Sequence, residues 1–432
     1  MSGLGYINGN LSEVPSAFGG ETVNVGGVVY GWSDALGRYV AQAPGVWDGE
    51  WDFLGDSITA GGAGWNNDGN GNLTEVNGGR YSPGGSHAAF ANFALWGGMR
   101  FARNWGFGGM GAAYMITQLP MILASPSKNV LLMDGTNEFQ DADALTVRIE
   151  TFRTLLRSLI AGGKRVFVVL SPPMTSAAPT AWNAAVSTIC IAEGVPYADP
   201  WGAIINADTG LIKNAVYMMD TKHPKLSTNA EFVGPRLARS LIPYVGARVH
   251  PSSNLDCGVV ANGCMATSSA GVATGWTASA DASVGMTPTV ETPSAATDAC
   301  GRTQVVNGNI QKLVATDIGA NANGVQLFQT LSGLVPGQEY EASFYMRVDK
   351  LVKARLVFRI HNAFTDATTW CAFDSTNDQN NSQDAVTRTV YEGVYVCRFV
   401  APAAGVTTYI RWQATRAGSL DLRVGMVRIV PV

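Results

Sequence analysis

From residue 47 to 246, short apolar runs alternate with stretches whose apolar residues recur every three or four positions. The runs are EWDFLG (50–55), MRFARNWG (99–106), NVLLMDG (129–135), RVFVVLSP (165–172) and VPYADP (195–200). Each has the length of a strand, and such continuous apolar runs mark a parallel sheet covered on both faces. Between them, DADALTVRIETFRTLLRSLIAGG (141–163) carries Leu145, Ile149, Phe152, Leu155, Leu156 and Leu159 near helical spacing, with acids at its start and a Gly-Gly stop. TAWNAAVSTICIAEG (180–194) and NAEFVGPRLARSLIPYV (229–245) follow the same pattern. The alternation predicts an α/β fold, a three-layer α/β/α sandwich around a parallel, flavodoxin-like sheet, over residues 47–246.

Beyond residue 246 the helical period stops. GARVHPSSNLDCG reads as a linker, taken as 247–256. After it, LVPGQEYEASFYMRVD (334–349) alternates, with Tyr340, Ala342, Phe344 and Met346 on one face. ARLVFRIHN (354–362), GVYVCRFVAP (393–402), TTYIRWQAT (407–415) and LDLRVGMVRIVPV (420–432) alternate too. Residues 257–432 are therefore expected to form an all-β, jelly-roll-like sandwich. At the other end, TVNVGGVVYGWSDALGRYVAQ (22–42) reads as short strands around turns, within a strand-rich arm over 1–46.

Composition narrows the class. The 432 residues are 46% hydrophobic and 14% charged, which suits packed cores and not disorder. No run of Lys or Arg stands out, so no nucleic-acid partner is expected. No apolar run approaches the roughly 18 residues that span a bilayer. MSGLGYINGNLSEVPSAFGG lacks a basic and an apolar region, so no Sec-type signal peptide is expected. Of six cysteines, five lie beyond residue 250, with no C-x-x-C or zinc spacing. Cys257 and Cys264 are close enough in sequence to close a short loop, but free thiols are the expectation.

Four motifs fall where strands end or loops meet helices: GDSIT (55–59), NWGFGGMG (104–111), GTNE (135–138) and DTKH (220–223). Parallel sheets gather their sites at the carboxyl ends of strands, so all four should face one rim. A serine hydroxyl is a weak nucleophile until a base takes its proton, and Ser57 by itself reads equally well as a helix cap. Among four histidines, His250 lies in the linker, His361 in the β region and His87 in a Gly/Ser-rich stretch, which leaves His223 as the best base. Asp220, three residues earlier, can bend back to the ring and fix its tautomer, with Pro224 stiffening the turn. The candidate oxyanion donors are the Ser57 backbone N–H, the Gly109 backbone N–H and the Asn137 side-chain amide. Singly, each is an ordinary loop or turn residue; acyl transfer is the chemistry that uses them together.

The four motifs resemble the four blocks of the SGNH (GDSL-type) serine hydrolases. GDSIT matches the first block, Asn104 and Gly109 the second, GTNE the third with Glu138 where Asp is usual, and Asp220 and His223 the last. The resemblance covers roughly residues 50–246. It implies Ser57 as nucleophile, His223 as base, Asp220 as orienting acid, and Ser57, Gly109 and Asn137 as the oxyanion hole. It implies no metal and no organic cofactor.

It also implies ester or thioester substrates, from lipids to acetylated sugars. The polar, glycine-rich stretch 64–90 is expected to be an inserted loop beside the site, suited to a hydroxylated substrate. No long apolar lid helix is apparent. GLVPGQEYEASFYMRV resembles jelly-roll carbohydrate-binding modules, and Trp370, Tyr395 and Trp412 are candidates to stack on sugar rings, although alternation does not say which face is buried. A strand-rich arm and a β-sandwich tail also resemble parts of bacteriophage tail spikes and fibres. That likeness implies a virion or a post-lysis extracellular location over a cytoplasmic one, with assembly or homo-oligomers formed through the terminal regions. The expected function is carbohydrate O-acetylesterase acting on an acetylated polysaccharide. The alternatives are a short-chain lipid or general esterase, and a virion structural or glycan-binding protein with a vestigial site.

Overall fold

The computed structural model describes residues 22–25, 28–33, 38–41, 46–67, 73–75, 79–139, 145–246, 248, 250–298, 301–316, 318, 324–352, 355–361, 369–374, 391–415 and 418–432. Near the N-terminus three strands, Thr22–Val25, Val28–Ser33 and Arg38–Ala41, pair antiparallel. Then β1 (Trp51–Gly55), β2 (Phe101–Gly106), β3 (Asn129–Met133), β4 (Arg165–Val169) and β5 (Tyr197–Ala198) form a parallel sheet in the order β2-β1-β3-β4-β5. This is the flavodoxin-like order. Its direction reverses between β1 and β3, which opens a crevice at their carboxyl ends.

The α-helices of four or more residues are α1 (Ser57–Ala60), α2 (His87–Ala94), α3 (Ala112–Thr117), α4 (Leu119–Leu123), α5 (Leu145–Ala161), α6 (Thr180–Ala192) and α7 (Gly234–Leu241). They explain the continuous apolar strands. Trp51, Phe53, Phe101, Leu131 and Phe167 share one core with α2 and α7. Leu54, Val130, Leu132, Val166 and Val168 share the other with α3, α5 and α6. Covered on both faces, the sheet has no polar side to display. The segment expected as one helix over 229–245 is composite: a π-helical turn at Asn229–Val233, α7, then a 3-10 turn at Ile242–Tyr244. Pro235 and Pro243 lack the amide protons that a continuous α-helix would use.

The C-terminal region is antiparallel. Its strands of four or more residues are β6 (Thr277–Ala280), β7 (Gly285–Glu291), β8 (Ile310–Thr316), β9 (Val325–Leu331), β10 (Glu339–Val352), β11 (Arg355–His361), β12 (Thr369–Asp374), β13 (Tyr391–Val400), β14 (Thr408–Thr415) and β15 (Ser419–Pro431). They form two sheets, β6-β9-β14-β11-β12 and β7-β8-β15-β10-β13. Leu327, Leu356 and Trp412 of the first pack against Leu313, Phe344 and Val424 of the second. Cys190, Cys257, Cys264 and Cys397 are buried, with the Cys257 and Cys264 sulfurs 3.4 Å apart.

Two aromatic assignments need correction. Tyr395 and Trp412 are 2% and 1% exposed, so neither offers a ring to a sugar. Both lie in the sandwich core, where Phe344 meets Trp412 edge-on at 4.8 Å and Tyr395 at 5.5 Å. The Trp370 side chain lies outside the described residues.

Part of the outer face of the second sheet, along β10, β13 and β15, is buried as well. Tyr345, Val394, Val396 and Met426 join the core of the α/β layer, while Phe90 and Phe93 of α2 join that of the sandwich. A Cβ at Gly393 would stand 2.1 Å from the Phe93 carbonyl oxygen, so the backbones of β13 and α2 are in direct contact. Ion pairs cross the same boundary. Arg103 grips Glu339 through two hydrogen bonds of 2.8 and 2.7 Å, and the 2%-exposed Arg398 joins Glu339 (3.0 Å) and Glu50. The expected linker is packed too, with Arg248 paired to Glu341 and His250 set against Trp96.

Removing Arg398 takes the guanidinium from Glu50 and leaves Glu339 with Arg103, in a mostly dry boundary. Arg398→Ala is expected to cost about 3 kcal/mol in chemical denaturation. Arg153→Ala, which breaks the exposed Arg153–Glu150 pair, should stay within about 0.5 kcal/mol. Equal small losses would contradict the boundary's role.

Candidate active site

The GDSIT motif folds as a turn wedged between three strand ends. Gly55 pairs in register with Gly106 of β2 and Met133 of β3. Asp56 caps α1, its Oδ1 accepting from the Ile58 N–H at 2.9 Å, and Gly61 ends the helix in a left-handed conformation. Ser57 is therefore indeed at a helix start, and it is half-buried at the rim of the sheet.

Its hydroxyl lies 2.8 Å from Nε2 of His223. The other ring nitrogen, Nδ1, lies 2.7 Å from Oδ2 of Asp220. The loop that carries both is tightly built. Asp220 Oδ1 accepts from the backbone N–H groups of Lys222 and His223, each at 2.7 Å, and Met219 N–H donates to the His223 carbonyl at 2.7 Å. Pro224 pairs with Met218 in an isolated bridge. Burial by itself would raise the Asp220 carboxyl, but the bonds from the His223 and Lys222 amides and from the His223 ring hold it below the usual range.

Residues 53–224 match the model of the GDSL-like Lipase/Acylhydrolase family. Among solved structures the chain is similar to an acetylxylan esterase from Geobacillus stearothermophilus, a catalytic mutant, at 17% identity over 46% of this chain and 94% of that one, TM-score 0.35. It is similar to a two-domain esterase active on acetylated mannans at 14% identity over 87% and 91%, TM-score 0.32. It is also similar to the enzymatically active domain of Bacteriophage CBA120 tailspike protein 4 at 12% identity, covering 41% of this chain and 22% of that one, TM-score 0.28. All three are low-identity likenesses. No curated protein matches the chain.

Within the matched residues 53–224 the other two motifs reach the same rim. Gly109 has φ +74° and nothing within 4 Å of where a Cβ would stand, so its backbone faces open space. Asn137 follows β3 and donates through Nδ2 to the Met110 carbonyl at 3.0 Å, which ties the GTNE turn to the glycine loop. Asn104 is fully buried, and its amide donates to the carbonyls of Ala60 (3.2 Å) and Ser82 (3.0 Å). It holds the end of α1 in place.

His87 is not at the rim. It is 1% exposed at the start of α2, and among the described residues neither ring nitrogen has a hydrogen-bond partner. Burial lowers its pKa to about 3. The stretch expected as a polar loop is thus partly core, since its residues 82–90 are all buried. Among the described residues no cluster of three or more His, Cys, Asp or Glu side chains is arranged to hold a metal ion.

Beneath the turns lies a group of buried acids, Asp56, Asp134 and Glu138, of which Asp134 falls outside the four motifs. An acid closing the apolar strand NVLLMDG is the only sequence signal for Asp134. Burial, then the charges of Glu138 and Asp56, push the Asp134 carboxyl far above the usual range. Burial also raises Asp56, against hydrogen bonds from Ile58 and Thr136. Glu138 is pushed up to about 6 by burial and by Asp56, while the Ala112 N–H, 3.2 Å from its Oε1, and Arg148 pull it back.

The folded state therefore holds a proton on Glu138 more tightly than the unfolded chain, whose carboxyl titrates near 4.5. That contribution is complete below about pH 4.5 and is lost as pH rises through 6. Glu138→Gln keeps an oxygen for the Ala112 N–H and removes the titration. Relative to the parent, the variant should gain up to about 2 kcal/mol between about pH 4.5 and 7.5 in denaturation curves. A constant difference across that range would show that Glu138 does not titrate as described.

Proposed function

We propose that the chain is a serine esterase that removes O-acetyl groups from a polysaccharide. The observation that carries the reading is the relay Ser57 Oγ–His223 Nε2 and His223 Nδ1–Asp220 Oδ2, at 2.8 and 2.7 Å. A hydroxyl, an imidazole and a carboxylate in this order are the parts of a nucleophilic acyl transfer. Its context is a GDSL-like hydrolase domain.

In the proposed reaction Ser57 Oγ attacks the acyl carbonyl carbon while His223 Nε2 takes the hydroxyl proton. The carbonyl π electrons move onto oxygen, and the N–H groups of Ser57 and Gly109 with the Asn137 amide receive that charge. Collapse breaks the bond to the sugar oxygen, which leaves with the proton held by His223. A water then gives a proton to His223, attacks the acyl-enzyme and frees acetate with Ser57 restored. Asp220 holds the ring in the tautomer that both halves need.

Two features favour a small acyl group on a hydroxylated substrate. The polar stretch begins beside the glycine loop, where Trp65 bridges to Phe107 and its carbonyl accepts from the Gly108 N–H at 2.8 Å. Among the described residues, the elements at the rim are short turns and the four-residue α1, not a long apolar helix.

Ser57→Ala should abolish acetate release from acetylated polysaccharides and from 4-nitrophenyl acetate, with kcat down by about 10⁴-fold or more and the melting temperature little changed. Asn137→Ala should lower kcat about 100- to 1,000-fold. Wild-type turnover in the serine variant would end the assignment. Activity that peaks on long acyl chains would replace acetyl removal with a lipid esterase.

A further inference from the structure

The turn at 82–86 connects three things that are far apart in sequence. It lies against the C-terminal end of α1: the Gly85 N–H donates to the Gly61 carbonyl at 2.9 Å, and a Cβ at Gly61 would stand 2.4 Å from the Ser86 nitrogen. A Cβ at Gly84 would stand 2.6 Å from the Ala60 carbonyl oxygen. The same turn holds the segment that follows His223. Leu226 lies directly over Gly85, where an added Cβ would meet its Cδ2 at 2.0 Å, and Asn229 Nδ2 donates to the Gly85 carbonyl at 3.1 Å. That segment is tied back to the histidine loop, with Lys225 N–H and Thr228 Oγ1 both donating to the Tyr217 carbonyl, at 3.0 and 2.7 Å.

The third connection comes from the sandwich. Tyr395 of β13 donates its hydroxyl to the Gly84 carbonyl at 3.2 Å, in a buried contact spanning 311 residues of sequence. Its ring is fixed on Phe344 and Phe358, 5.5 and 6.0 Å between centroids. The turn is thus pinned at Gly84 by the sandwich and at Gly85 by the helix and the histidine segment.

We propose that Tyr395 is a positioning residue for the Ser57–His223 pair, acting through the 82–86 turn. The consequence is that the sandwich is a working part of the catalytic unit and not only an appendage to it. Small displacements of a nucleophile from its base are costly in rate, so a shift in the shared turn should reach kcat before it reaches stability. The inference rests on the reading of Ser57 and His223 given above.

The test uses the full chain. Tyr395→Phe keeps the ring in the core and removes only the hydroxyl. Tyr340→Phe is the comparison: its hydroxyl serves the Val335 N–H at 3.0 Å inside the sandwich and touches nothing near the turn. With 4-nitrophenyl acetate, Tyr395→Phe should lower kcat at least about fivefold with KM within twofold, while Tyr340→Phe leaves kcat unchanged at a similar melting temperature. Hydrogen exchange should rise in peptides covering 57–61 and 82–86 for Tyr395→Phe alone. A kcat within twofold of the parent, or equal losses in the two variants, would overturn the proposal. Retained activity in Ser57→Ala would instead overturn the underlying assignment, so the two failures are distinguishable.

Discussion

Helix α1 lies so close to the sheet that no side chain fits between them. A Cβ at Gly106 would stand 2.3 Å from the Ala60 nitrogen, and one at Gly55 would stand 2.3 Å from Oγ1 of Thr59. These two glycines face each other in register on β1 and β2. Their bare backbones let a four-residue helix sit directly on the ends of β1 and β2, and so bring Ser57 to the rim. Everything else at the site is arranged around that contact. Asn104 ties off the helix end, the 82–86 turn closes over it, and the loop bearing Asp220 and His223 arrives from the far side.

The electrostatics of the domain divide into two layers. At the rim, Asp220 is half-exposed, held charged by three hydrogen bonds, and directed at a histidine. Beneath it, Asp56, Asp134 and Glu138 are buried and biased toward the neutral form. The buried acids favour the folded state at low pH, whereas His87, neutral in the core, favours it at high pH. The His87 contribution fades as pH falls below the unfolded value of 6.5 toward about 3. The two trends oppose each other across mildly acidic pH.

The sheet and its motifs were legible because both follow from local chemistry. Apolar strands covered on two sides leave continuous runs, and strand ends leave glycines beside acids and amides. Helix α2 was not legible, because HAAFANFA is buried all round and has no polar face to set a period. Strands β6 and β7 escaped notice since TASA and GMTPTVE are small, polar and partly exposed. The most instructive miss is β10. In EYEASFYMR, the alternation puts Tyr340, Ala342, Phe344 and Met346 on one face and leaves Glu339, Glu341 and Tyr345 on the other, without saying what that other face meets. That face meets the α/β layer, and the glutamates are partners of Arg103, Arg398 and Arg248. A polar position in an alternating strand does not distinguish water from a charged neighbour 236 residues away.

The proposed acyl transfer requires that His223 make Ser57 nucleophilic. Mass spectrometry after reaction with a fluorophosphonate tests it at the atom concerned. One adduct per chain should form, on the peptide containing Ser57, and formation should be slowed by orders of magnitude in His223→Ala. An adduct on another serine, or one that forms as fast without His223, would contradict the claim.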